Sequence, residues 1–356
     1  MEKFVFVKLK TLPPSLFYFL MLFLSATLLP GCKDENANPS ASYEQVNLVA
    51  SASGYGAARI DTNLVNAWGN AIGPTGSFWI SSTEKDLTTV YDRNGATLLS
   101  PIEVEGEPTG VVYNGTPDFL IPSTSLASKF IYVGEEGTVQ SWNSGSTTVE
   151  VADNSADGAV YKGIAIASDG DANFLYIANF SEGEIEVLDK NFNYVTTKQF
   201  EDPNIPVGFA PFNVQNIDGK LYVTYAKQSA DKYDDVSGAG NGYVNIFNPN
   251  GSLVKRFASQ GTLNSPWGIA KAPDDFDQAA GAILVGNFGD GRINMFSKDG
   301  EYLGQLKDGN TPITIEGLWS LTFPSNGIPA GDQNQLFFTA GPDDEEHGLF
   351  GYIHLR

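Results

Sequence analysis

A unit of about fifty residues recurs six times between residues 43 and 356, and no other feature restricts the fold as tightly. Each unit opens on an anchor residue followed by alternating small and apolar residues: "AWGNAIG" at Trp68, "PTGVVYN" at Thr109, "YKGIAIA" at Lys162, "APFNVQN" at Phe212, "PWGIAKA" at Trp267 and "LWSLTFP" at Trp319. The residues after these anchors fall at 69, 110, 163, 213, 268 and 320, so the spacings are 41, 53, 50, 55 and 52. Period-two alternation with hardly any helical periodicity marks an all-β repeat.

Each opening is followed by a second strand pattern, "SFWISS", "KFIYVGE", "FLYIANF", "KLYVTYA", "AILVGNF" and "QLFFTAG", and then by a third, from "TTVYDRNG" to "GLFGYIHL". Asn94-Gly95, Asn250-Gly251 and Asp299-Gly300 close the third strands with strong hairpin signals. A fourth strand follows in the first five units, as in "SLVKRFAS" and "EYLGQLK". The pattern predicts an all-β, six-bladed β-propeller of four-stranded blades over 43–356. The sixth unit stops after its third strand, while "YEQVNLVAS" precedes the first unit without a partner. This N-terminal strand is expected to complete the last blade, close the ring and cover an open edge. Small residues recur in the innermost strand because blades converge on the axis. The aromatic anchors Trp68, Phe212, Trp267 and Trp319 are expected at the channel mouth, buried between blades, with a ligand-stacking ring as the alternative.

The N-terminus carries Lys3, Lys8 and Lys10, an apolar run from Leu16 to Leu29, and then "LLPGCKDE". This pattern predicts a lipoprotein signal peptide over 1–31, with Cys32 as the acylated first residue of the mature chain and a flexible tether over 32–42. The alternative is a soluble secreted protein with one leftover cysteine. Cys32 is the chain's single cysteine, so no internal disulfide can form. The acidic "KDE" after it points to a surface-exposed outer-membrane lipoprotein, with a periplasmic-facing or secreted protein as alternatives. Contact with a membrane is then through the anchor only, and the folded part is expected to be a monomer.

Lys and Arg total 21 against 42 Asp and Glu; removing Glu2 and the three signal lysines leaves 18 against 41, a net of −23. Such a surface repels phosphate backbones, which excludes nucleic acid as a partner. Cationic groups, Ca²⁺ among them, are its natural counterparts, although acidity also serves solubility alone.

In a propeller, the loops joining second and third strands share one face. Here every one is acidic: Glu84 and Asp86; Glu135 and Glu136; Glu182 and Glu184; Asp231, Asp234 and Asp235; Asp290; Asp343 to Glu346. The loop of the fourth unit, "KQSADKYDDVSGAGNG", is greatly enlarged, and loops of this length in compact folds tend to be functional or disordered. Its Lys227, Gln228, Asp231, Asp234, Asp235 and Asn241 are the expected ligand-binding residues. Asp231, Asp234 and Asp235, with Asn179 and Asn287, are the candidates for a Ca²⁺ site.

Other chemistry is sparse. "DGDAN" at 169–173 begins like a calcium loop, but Phe174 and Phe180 replace the glycine and glutamate it needs. Two histidines, His347 and His354, exclude a multi-histidine zinc site, and no cysteine nucleophile, G-x-S-x-G elbow or phosphate loop is present. His347 and Glu316 are the candidate catalytic groups. Asn179, Asn213, Asn287 and Glu316 would have to converge at the channel mouth in a metal-dependent hydrolase or lyase.

"NLVNAWGNAIGPTGSFWIS", "NSPWGIAKAP", "LVGNFGDGRINMF" and "LFFTAGPDDEEHGLFGYI", together with the long loop, resemble signature segments of an uncharacterised family of secreted bacterial propellers related to NHL-repeat proteins. The resemblance spans 43–356 and implies a six-bladed propeller. Relatives in fold include binding scaffolds, lactonases and lyases, so it implies no single activity. The expected function is a lipid-anchored binding or scaffold protein acting through its acidic loop face on a protein, glycan or small-molecule ligand, with the hydrolase or lyase as the alternative.

Overall fold

The computed structural model describes residues 42–122 and 124–356. The expected signal peptide, Cys32 and the tether up to residue 41 lie outside the described residues. The rest is a six-bladed β-propeller. Blade one comprises Ala67–Ile72, Phe78–Ser82, Leu87–Tyr91 and Thr97–Glu103; blade two Pro108–Tyr113, Phe130–Gly134, Thr138–Trp142 and Val149–Asp153. Blade four comprises Phe209–Ile217, Lys220–Lys227, Gly242–Phe247 and Leu253–Ser259; blade five Pro266–Lys271, Ile283–Asn287, Ile293–Phe296 and Tyr302–Gln305.

The sixth blade is built from both ends of the repeat region. Leu318–Thr322, Leu336–Ala340 and Leu349–Leu355 supply three strands, and Tyr43–Ala50 adds antiparallel to the last, from Tyr43 opposite Leu355 to Ala50 opposite Leu349. The ring is thus closed by backbone hydrogen bonds between its two ends, as the orphan strand pattern implied.

Blade three departs from the expected four strands. Tyr161–Asp169, Ala172–Asn179 and Glu184–Leu188 form its sheet, and residues 189–208 make only a bridge between Leu188 and Tyr194. Two causes are visible. Phe200 turns inward, edge-on to Tyr176 at 5.6 Å and Phe247 at 5.4 Å, and its partial burial gains a share of the roughly 1.5–3 kcal/mol that full burial of such a ring supplies. Pro203 and Pro206 then remove backbone donors, while Asp202 accepts from the Asn204 N–H in a local turn.

Six apolar clusters fill the six gaps between neighbouring blades, for example Trp79, Phe130, Tyr132 and Trp142 between blades one and two. A seventh lies on the axis and contains Trp68, Phe212, Trp267 and Trp319. Two features of the innermost strands produce it. Strand register slips at the anchor in all six blades, which releases the anchors from regular pairing; the four aromatic anchors meet on the axis, while Thr109 donates its hydroxyl to the Val133 and Tyr161 carbonyls. The glycine after the anchor lets neighbouring strands touch: a Cβ on Gly69 would lie 2.4 Å from the Thr109 carbonyl oxygen, and one on Gly163 would lie 2.2 Å from Asn213 Oδ1.

Candidate functional site

The four aromatic anchors are buried, and each packs on rings from other blades, meeting across the axis. Trp68 stacks on Trp319 at 3.7 Å, Phe288 stacks on the same ring at 3.9 Å, and Trp267 and Phe212 meet it at 6.0 and 5.8 Å. All four anchors are nearly inaccessible. Their indole N–H groups are anchored unevenly. Trp267 donates to the Lys162 carbonyl at 2.9 Å and Trp319 to Asn66 Oδ1 at 2.9 Å, whereas Trp68 Nε1 has no protein partner.

This plug divides the axial channel. Below it the channel narrows to about 20 Å³, lined by Asn70, Asn213, Trp267 and Ser320 among others, with room for about one water. Above it, on the face of the acidic loops, opens a funnel of about 310 Å³ floored by Trp68, Phe212 and Trp319. Seven carboxylates line the funnel: Glu84, Glu107, Glu135, Asp234, Asp235, Asp344 and Glu345. Lys162 is the one cationic side chain among them.

Lys162 occupies the anchor position of blade three, where four other blades place an aromatic ring. Its side chain is 3 % exposed, and its ammonium donates directly to Glu135 Oε1 and lies 3.9 Å from Asp234 Oδ1. The same nitrogen sits over the rings of Tyr233 at 4.9 Å, Trp68 at 5.3 Å and Phe180 at 6.0 Å. A buried ammonium is tolerable only with such compensation, because desolvating an unpaired charge is costly.

Burial pushes the Glu135 carboxyl above the usual range, and the Lys162 charge pulls it partly back. Glu345 is pushed up to about 7, first by burial and then by the negative charge of Glu135. Asp235 is also raised, again chiefly by burial. The funnel therefore concentrates negative charge that its own lysine neutralises only in part.

The backbone aims these groups at some cost. Asp343, Asp344 and Glu345 are three successive non-glycine residues in the left-handed region, at φ 55°, 51° and 68°. Each such residue costs roughly 1–2 kcal/mol. Their turn carries Glu345 inward, where the buried Asn66 side chain donates to its carboxylate. Glu107 also has a positive φ, 54°, immediately before the innermost strand of blade two.

The long loop of blade four folds across the mouth. Tyr233 reaches over to blade two and donates to Glu107 Oε2 at 2.9 Å, and the Gln228 amide ties the base of the loop to the Phe180 carbonyl at 2.6 Å. Of the expected ligand-binding residues, Asp234 and Asp235 line the funnel. The other four do not. Gln228 is spent on blade three, and Asn241 donates to the Val236 carbonyl at 2.8 Å within the loop. Asp231 accepts from Ser229 and from the Tyr233 N–H, and Lys227 is exposed at the strand end.

The expected calcium set and the expected catalytic set are not brought together. Asn179 donates to Glu182 and Glu186 and accepts from the Val160 N–H; Asn287 donates to the Thr262 carbonyl and Asp290 and accepts from the Asn264 N–H. Both are held within their own corners of blades three and five. Asn213 faces the lower channel, across the plug from the funnel, donating to the Trp267 carbonyl at 3.0 Å, and Glu316 is exposed outside the funnel. These oxygens offer no common cage of the six to eight ligands Ca²⁺ takes. His347 sits beside the closing segment, with Nδ1 3.2 Å from Ser51 Oγ and its ring against Tyr55, away from the funnel. Of the acidic loops, those of blades one, two, four and six reach the funnel, while Asp290 and Glu182 to Glu186 do not. Glu107 and Tyr233 had no signal in the sequence; Lys162 had one, as the lysine in a series of mainly aromatic anchors.

No protein-family model matches the chain. Among solved structures, virginiamycin B lyase from Staphylococcus aureus superposes with a TM-score of 0.53 and 12 % identity, covering 88 % of this chain and 99 % of the lyase. A gluconolactonase from Xanthomonas campestris gives 0.53 and 13 %, covering 83 % and 87 %. These likenesses show the propeller fold alone. In sequence, "Uncharacterized protein R648" of Acanthamoeba polyphaga mimivirus is 36 % identical over 328 residues, 87 % of this chain and 80 % of the relative. "Uncharacterized protein L690" of the same virus is 33 % identical over 328 residues, 87 % and 85 %. The secreted bacterial character that the resemblance implied is not shown by these relatives. The chain belongs to the protein family that includes these two mimivirus proteins.

Proposed function

We propose that the protein is a lipid-anchored, extracytoplasmic binding protein whose funnel captures a small organic cation. One observation carries this reading: seven carboxylates share a cavity of about 310 Å³ with a single lysine, and that lysine is already an ammonium held by carboxylates and aromatic faces. The surroundings that suit the Lys162 ammonium suit an amine or guanidinium of a ligand entering above it. A volume of this size matches a small molecule better than a protein surface. Attachment through Cys32 would keep the funnel on the outer face of a membrane as a monomeric receptor.

The test is calorimetric titration of residues 42–356 with spermidine, with Ca²⁺ and with a neutral oligosaccharide. Spermidine binding that weakens with salt and falls about tenfold in Glu345→Gln combined with Asp235→Asn is the expected result. Binding of the neutral sugar alone would remove the reading, and binding of Ca²⁺ alone would replace the organic cation with a metal. The hydrolase or lyase alternative is supported by the fold likeness only, and the residues it called for lie in separate places.

A further inference from the structure

The missing outer strand of blade three leaves a groove of about 890 Å³ between that blade, residues 195–207 and blade four. One edge of the groove is unfinished β-sheet. Strand Glu184–Leu188 pairs along its whole length with Ala172–Asn179. On its other side it is met only at its end, where the Val195 N–H donates to the Val187 carbonyl at 2.8 Å and Leu188 bridges to Tyr194. Groups facing one side of a strand recur every second residue, so the Ile185 N–H and C=O point the same way as those of Val187. Among the described residues, no backbone partner meets them.

The floor and rim of the groove differ in kind. Val187, Phe200, Ile205 and Phe209 give an apolar floor continuous with the core between blades three and four. Asp157, Glu182, Glu184 and Glu201 stand on the rim. Carboxylate oxygens of Glu182, Glu184 and Glu186 lie within 4.8 Å of one another. Glu186 is the buried member and is fully engaged as an acceptor from Tyr161, Asn154 and Asn179. Lys198, the cation lining the groove, is paired with Asp169.

We propose that this groove docks an extended, cationic segment of a partner protein, which adds to Glu184–Leu188 as the fourth strand of blade three. Strand addition satisfies the open Ile185 groups, and alternation then divides the incoming side chains between the apolar floor and the acidic rim. Lysine or arginine is the complement on the rim side; burial and the neighbouring carboxylates already raise the Glu184 carboxyl, and an incoming cation would lower it again. The chain's own N-terminal segment is a poor occupant, because "KDENANPSAS" at 33–42 carries two acids against one lysine. A second copy, also strongly acidic, is repelled for the same reason. This inference concerns the side of the ring and does not rest on the funnel.

The probe is a labelled peptide of alternating lysine and valine, compared with its glutamate-for-lysine analogue and with a form N-methylated at alternate backbone positions. Polarisation should show the lysine peptide binding, with both analogues weaker by about tenfold or more. Hydrogen exchange at the Ile185 amide should slow on peptide addition, and Glu184→Lys, at an exposed position, should abolish binding with the fold intact by circular dichroism. Equal binding of the N-methylated peptide would reduce the contact to charge adsorption and overturn strand addition. Absence of binding, or protection at the axial loops in place of Ile185, would also overturn it.

Discussion

Replacing Lys162 by methionine keeps most of the side-chain stem and removes the one ammonium in the funnel. Glu135 is then left 10 % exposed, with no cation beside it and with Glu107, Asp234 and Glu345 in the same cavity. Breaking a buried pair from one side costs about 3–5 kcal/mol, to which loss of the contacts over Trp68 and Tyr233 adds about 0.5–2 kcal/mol. The opposite change, Glu135→Gln, is milder, because Lys162 keeps Asp234 at 3.9 Å and its three aromatic faces. The pH sign follows from the raised Glu135 carboxyl: an acid raised by folding contributes stability below its unfolded value near 4.5 that is lost as pH rises through the folded value. Without Lys162 that value rises further, so the cost of Lys162→Met should be small near pH 4 and full near pH 8. The assay is urea unfolding by tryptophan fluorescence and circular dichroism on both single variants and the double variant, with coincident transitions establishing that the ring unfolds as one unit. A coupling energy of about 1.5–3 kcal/mol is expected at pH 8. A coupling below about 0.5 kcal/mol, or a pH-independent cost, would refute the view that the pair is held as a buried charge couple.

Glu345→Gln should be more stable than the native chain at pH 8 and should flatten the fall in stability between pH 4.5 and 7, since the native carboxyl rises to about 7 on folding. That rise corresponds to on the order of 3 kcal/mol as an upper bound, reduced by the solvent reaching a half-buried group, and denaturant unfolding across this range measures it. Deleting residues 42–50 exposes the edge of Leu349–Leu355, so gel filtration should show aggregation and the thermal transition should broaden. Gly163→Ala should cost about 1–3 kcal/mol by urea unfolding, because the added methyl meets Asn213 Cα at 2.9 Å, where both strands are fixed.

The sequence by itself determined the ring. A period near fifty, four strand patterns per unit and a spare N-terminal strand leave few other ways to bury the alternating faces, and the structure follows that count down to the pairing of Tyr43–Ala50 with Leu349–Leu355. It also placed the acidic loops on one face, since strand direction alone decides which loops share a rim. Which carboxylates meet was a tertiary matter. Glu345 reaches the axis while His347, two residues later, is held by Ser51 and Tyr55, because a left-handed turn at 343–345 carries Glu345 inward and the chain then folds back, the His347 N–H donating to the Pro342 carbonyl. Tyr233 and Glu107 lie 126 residues apart and meet only because an enlarged loop arches over the channel. The outer strand of blade three was expected from the repeat and is absent, because Phe200 packs inward against Tyr176 and Phe247 and two prolines follow it. Lys162 shows the division most plainly. In the sequence it is an exception in a list of anchors; in the structure the register slip at its position leaves it beside the aromatic anchors as the charge around which the funnel is organised.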